Sequence, residues 1–353
     1  MKSLALAGVG LVCLGAVAIA LLQPAAAQQR FEGEWLIDLD AVRAVPGRVH
    51  VTLRYESERG GSSNTSRTIA NDQIVGLPEA QARAASGTVV QFQIRRAAGT
   101  FQCEGWFRSG KGSGHYTFIG DANFVSQLRR AGYETPNEEQ LFRLGMADVG
   151  LDVVEELRAQ GYERPPIDGL VRVGNHGVTV ECIRELARLG YRVGKVDALV
   201  RMRDHGVTAD YVREFQALGY RDTPAEELVR ARDHGVTSEF VREVGNAGYK
   251  AVAIETLVRV RDHGVTPDFI RETRNLGYTG LSLENFVRLR DHGVTAEFIK
   301  GLQQAGFTNV TADDLVRTRS HGVTTEYIQR LKSRGIRNLT LDEIIRLRSH
   351  GIE

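Results

Sequence analysis

The sequence predicts an α+β protein that is mainly α. A small antiparallel β domain over residues 31–120, sandwich or partial barrel, precedes an α-solenoid of eight two-helix repeats over residues 122–353. Three observations carry that expectation. Apolar and polar residues alternate in the first part of the chain, the period of half-buried strands. His-Gly pairs begin at 176, 205, 234, 263, 292, 321 and 350, always 29 residues apart. Gly followed by an aromatic residue or Ile recurs at the same interval, from Gly132-Tyr133 to Gly335-Ile336. A fixed period of this length, without insertion or deletion, marks stacked supersecondary units.

Upstream of the strands, Lys2 is followed by an uncharged run from Ser3 to Leu22, then Pro24 and Ala25, Ala26 and Ala27. A basic start, an apolar stretch and an A-x-A site describe a secretory signal peptide over residues 1–27, cut before Gln28. The chain is then exported, periplasmic or extracellular. The alternative is an anchor formed by the uncleaved segment, since Leu4 to Leu22 is 19 residues long. Val12 before Cys13 is bulkier than a lipoprotein signal tolerates. Cys103 and Cys182 would be the cysteines of the mature chain. Both read as buried free thiols, because Cys182 stands where other repeats place Tyr or Phe.

Strands follow from Val49, Val51, Leu53 and Tyr55, from Val90, Phe92 and Ile94, from Phe101, Cys103 and Phe107, and from His115 to Phe118. Turn residues separate them at Arg59 to Ser63, Ala97 to Gly99 and Ser109 to Gly114, so five or six antiparallel strands are expected. Gly33-Glu34-Trp35 resembles the Gly-x-Trp start of lipocalins, but about 90 residues are too few for that barrel. Gly110 to Gly114 reads as a hairpin turn. A phosphate-binding loop would need Gly-Lys followed at once by Ser or Thr and then a helix.

One repeat unit runs from Thr208 to Gly235. Thr208 is the N-cap of its first helix, and Tyr211, Val212, Phe215 and Leu218 form one helical face. Gly219 ends the helix in the left-handed conformation, with Tyr220 folding back as the apolar contact. A second helix opens at Thr223 with Glu226 completing a capping box, buries Leu228, Val229 and Ala231, and closes at Gly235-Val236. Helices this short are marginal alone and must be held by neighbours. The β region is expected to cover the first helix, and a second chain or other partner the last unit.

The string from Leu228 to Arg242, repeated at Leu257 to Arg271, resembles a tandem repeat of exported bacterial proteins. It is similar to the C-terminal extensions of BlaR-type membrane metallopeptidases. That resemblance implies helical scaffolding outside the membrane and no chemistry, and the peptidase His-Glu-x-x-His is absent from this sequence.

Composition bounds the function. The chain has 353 residues, 42% hydrophobic and 25% charged, with 45 basic against 44 acidic side chains. Wholly disordered and collagen-like chains are excluded. The charge balance gives no reason to expect a nucleic-acid partner. The column His176, His205, His234, His263, His292, His321 and His350 reads as structural helix caps, each ring bonding the last carbonyls of its helix. Equivalent histidines about one helix spacing apart cannot share a metal ion. Two arginine columns, Arg201, Arg230, Arg259, Arg288 and Arg317, then Arg203, Arg232, Arg261, Arg290 and Arg319, offer two readings. One is a groove for an anionic polymer; the other is a solvated face neutralised by Asp204, Asp233, Asp262, Asp291, Glu239 and Glu297. The aromatic row Tyr211, Phe240, Phe269, Phe298 and Tyr327 reads as core.

No nonrepeating nucleophile, base and orienter come together in the sequence, so neither catalytic residue nor cofactor is expected. The expected function is a non-enzymatic binding scaffold that recognises a protein or envelope polymer through the repeat surface. The alternatives are a ligand-binding β domain with the repeats as spacer, and an unrecognised hydrolase.

Overall fold

A computed structural model describes residues 30–41, 47–56 and 61–352. The signal segment 1–27, part of the turn from Arg59 to Ser63, and Glu353 lie outside them. About 48% of the described residues are helical and 18% are strand, which makes the fold α+β and mainly α.

Seven strands form one curled antiparallel sheet: β1 (Phe31–Asp38), β2 (Arg48–Glu56), β3 (Ser62–Ala70), β4 (Ile74–Val75), β5 (Thr88–Arg96), β6 (Gly99–Arg108) and β7 (Lys111–Gly120). Their order is β3-β2-β1-β7-β6-β5-β4, so the first strand sits in mid-sheet and pairs with both the second and the last. Two details correct the sequence reading. Ser62 and Ser63 begin β3 rather than forming a turn. That strand is an edge whose side chains are almost all polar, so it has no apolar alternation to reveal it. The tight turn after β6 is Ser109-Gly110, at φ 50° and 81°, and Lys111 to Gly114 already belong to β7. The glycines there let aromatic rings lie on the sheet, since a Cβ at Gly112 would sit 2.6 Å from the Phe107 ring.

The inner face of the sheet is filled by its own side chains. Trp35 is fully buried, packs on Phe92 and Phe107 at 5.0 and 5.4 Å between ring centroids, and donates its indole N–H to the Glu104 carbonyl. A short helix α1 (Glu79–Ala82) adds Ala82 to this core.

The array begins with α2 (Ala122–Arg130) and α3 (Glu138–Ala147) and ends with α16 (Thr325–Ser333) and α17 (Leu341–Ser349). First helices stack on first helices and second on second, giving two layers around one continuous apolar seam. In the unit formed by α8 (Ala209–Ala217) and α9 (Ala225–Asp233), Thr208 Oγ1 accepts from the Tyr211 amide at 3.2 Å. Gly219, at φ 100°, then ends α8, and the Tyr220 amide reaches back to the Phe215 carbonyl at 3.0 Å. The second helix starts one residue later than expected. Pro224, not Thr223, is its N-cap, and no side-chain bond caps it. The column one place on carries real capping boxes at Thr311 with Asp314 and at Thr340 with Glu343.

The β region covers chiefly α3, the second helix of the first unit, rather than the first helix. Phe142 of α3 stacks on Phe31 at 4.6 Å and meets Phe118 edge-on at 5.4 Å, so a helix ring completes the core of the sheet.

Candidate functional site

Each repeated polar column turns out to join one unit to the next. In the first arginine column, Arg201 pairs with Glu226 at 2.9 Å, Arg230 with Glu255 at 2.6 Å and Arg259 with Glu284 at 2.8 Å. Arg288 pairs with Asp313 and Arg317 with Asp342, each at 2.5 Å. Every acid sits in the first turn of the following second helix, where its charge also favours the helix dipole. The guanidinium groups of this rail remain about half exposed.

The second column is not an open groove. Arg232, Arg261, Arg290 and Arg319 lie over the rings of Tyr211, Phe240, Phe269 and Phe298 in the first helix of the same unit, 5.1 to 5.2 Å from their centroids. Arg319 Nε also donates to the Gly293 carbonyl at 3.1 Å. The aromatic row is buried, as expected, and these cations close its outer edge. Arg203 stands near the Cys182 thiol, in the place where later units have a ring. Because that side chain is short, Cys182 is only half-buried, unlike the buried Cys103 in the sheet; both are free thiols.

The histidines occupy the C-cap position of their helices, from His176 to His350. Their rings do not bond the last carbonyls, which backbone amides already take: His234 N bonds Arg230 O, Gly235 N bonds Arg232 O and Val236 N bonds Ala231 O. The rings reach forward instead. His176, His205, His234 and His263 meet Asp204, Asp233, Asp262 and Asp291 at 2.5 to 2.8 Å. His292 and His321 meet Ser320 and Ser349 at 2.8 and 3.1 Å. The aspartates expected to neutralise arginine thus serve histidine. Among the described residues, no three His, Cys, Asp or Glu side chains gather as a metal site. Tyrosines of the Gly-Tyr pairs add a further link, as Tyr191 and Tyr220 donate to the Thr223 and Val252 carbonyls of the next unit at 2.8 and 2.6 Å.

Sequence reasoning missed the joint between sheet and array. Arg96 on β5, 1% exposed in its side chain, donates to the Gly145 and Met146 carbonyls at 2.9 Å each and lies 3.7 Å from the Asp148 carboxylate. Arg67 on β3 donates to the Gly174 carbonyl at 2.6 Å. Burial pulls both guanidinium groups below the ordinary arginine value, and the Asp148 charge acts in the opposite direction. Gly145 and Gly174 hold the positions that Arg203 and Arg232 hold later, and Ala147-Asp148 stands in the His-Gly slot. A Cβ at Gly145 would come within 2.7 Å of the Phe118 ring. The signal available in the sequence was this loss of the repeat pattern in the first two units.

A groove of about 790 Å³ lies on the outer face of the sheet. Gln91, Gln93, Gln102, Glu104, His115 and Arg95 line it, and none belongs to a repeated column. Compared with models of known protein families and with curated protein sequences, the chain matches none.

Proposed function

We propose that the protein is a non-enzymatic binding scaffold of the cell envelope that recognises a protein, or a polymer carrying charges of both signs, along its repeat surface. The observation that carries this reading is the first rail, where half-exposed guanidinium groups alternate with carboxylates from unit to unit. A guanidinium bonded to one carboxylate keeps other N–H donors for a partner. Alternating signs suit a partner that also bears both, and favour it over the polyanion that unpaired arginines would attract. The signal-peptide pattern and the likeness to exported repeat arrays support a place outside the cytoplasm.

The test compares the full chain with the triple variant Arg230→Gln, Arg259→Gln and Arg288→Gln as bait for envelope extract. Surface pairs contribute about 0–1 kcal/mol each, so the variant should keep its fold by circular dichroism. A partner held by the parent and released by the variant supports the reading; equal retention of every partner ends it. A second reading, a β-domain receptor with the array as spacer, is favoured by one observation: the groove on the sheet is built from nonrepeating residues.

A further inference from the structure

We propose that the outer face of the sheet is a binding site for an uncharged oligosaccharide. The site belongs to the β region, gives the receptor reading a specific ligand class, and stands whether or not the rail binds anything. Residues directly opposite on antiparallel strands share a face. The register therefore sets three parallel rows across β5, β6, β7 and β1. The first is Val89, Trp106, Ser113 and Leu36; the second Gln91, Glu104, His115 and Glu34; the third Gln93, Gln102, Thr117 and Glu32.

Apart from Ser113 the first row is apolar, and it is open to solvent, with Val89, Trp106 and Leu36 exposed by 82%, 51% and 37%. An outward-facing indole beside Val89, with Leu36 two strands further on, is unusual on the wet face of a sheet, where polar residues normally stand. The other two rows present planar amides and carboxylates, and all of their residues except Glu34 line the groove. This pairing matches a sugar ring. Its C–H face packs on the face of an indole, while its hydroxyls, each both donor and acceptor, meet the donor and acceptor atoms of Gln and Glu.

Other ligand classes fit less well. An apolar molecule would find walls that are mostly polar, unlike the apolar lining such sites use. An anion would meet Glu32 and Glu104 against the single guanidinium of Arg95. The groove reaches from Val75 at the β4 edge to Glu32 on β1, five adjacent strands, which at about 4.8 Å per step is room for several sugar units.

The indoles make the test direct, because Trp35 is fully buried and Trp106 half exposed. Iodide should therefore quench Trp106 alone in the folded full chain. Chitotetraose, cellotetraose and maltotetraose are titrated in turn, with calorimetry alongside. At least one should protect Trp106 from iodide saturably. Trp106→Ala should abolish its heat of binding, and Gln91→Ala or Glu104→Ala should weaken it about tenfold. The triple rail variant should bind it as the parent does. No protection by any of the three, or binding unchanged in Trp106→Ala, overturns the proposal. So does preferential binding of dextran sulfate, which would mean charge recognition, or binding lost in the rail variant, which would move the site to the array.

Discussion

At the end of α3 the C-terminal carbonyls of Gly145 and Met146 receive Arg96 from the sheet, and one unit further on Gly174 receives Arg67. In the later units the same helix ends look forward instead, and Arg319 and Arg348 from the following repeat donate to Gly293 and Gly322. Helix C-termini always leave carbonyls needing donors. The two regions differ in where the donor comes from and in how wet it is. Arg96 is buried with its acid at hand, whereas Arg232 and its equivalents sit at the surface over a ring. A repeat that departs from its pattern has not simply decayed here; it has exchanged a neighbour of its own kind for the sheet.

Removing the donor should separate the two regions most strongly. Arg96→Met leaves two carbonyls and the Asp148 carboxylate without their cation, and should cost on the order of 3 kcal/mol. In calorimetry the melt should fall by several degrees or split as the sheet parts from the array. Arg232→Met removes only a surface ring contact and should cost about 1 kcal/mol or less. Equal losses in the two variants would erase the distinction.

A finer comparison concerns the left-handed position that ends each second helix. Asp148 holds φ 54° where Gly235 holds 67°. Asn accepts that conformation nearly as well as any residue but Gly. Asp148→Asn therefore changes only charge and should cost about 1–2 kcal/mol through Arg96. Gly235→Asn should cost about 1 kcal/mol at most, all of it from the backbone. An Asp148→Asn loss that largely disappears when the substitution is made in the Arg96→Met background would identify the charge pair as the cause.

The smallest expected effect is acidification. Hydrogen bonds from Thr311 hold the Asp314 carboxyl below its ordinary range, and the Thr340 backbone and hydroxyl do the same for Glu343. A depressed folded value means that the stability is present above the ordinary carboxylate range and is lost as pH falls through the folded value. The helices they cap should therefore lose amide-exchange protection in acid, measured against the unfolded-chain rate at the same pH. The helix at Pro224, which has no side-chain cap, lacks this contribution. Uniform loosening of all units would remove the assigned cause.

The array was legible because a fixed interval spells its own caps: Thr before, Gly after, apolar residues between. The partners of the polar columns were not. The sequence set the acids Asp204, Asp233, Asp262 and Asp291 against the arginine columns as a whole, but stacking brings residues 25 or 28 positions apart together, and only the relative placement of units decides which. β3 escaped notice because an edge strand with polar residues on both faces has no period-two pattern. The docking residues Arg67 and Arg96 carry no motif. Their targets did leave a trace, in Gly145, Met146, Ala147 and Gly174 standing where Arg, Asp and His recur.

The constant forward reach of the rails has a consequence for the length of the molecule. Each link joins a unit to whatever identical unit comes next, so a 29-residue segment excised from the middle would let the flanking units meet through the same Arg–acid, His–Asp and Tyr–carbonyl bonds. The number of units is thus adjustable in a way that the first two are not, since those are keyed to the sheet. Shorter or longer versions would carry the β region at a chosen distance from whatever holds the far end, like a ruler graduated in single repeats.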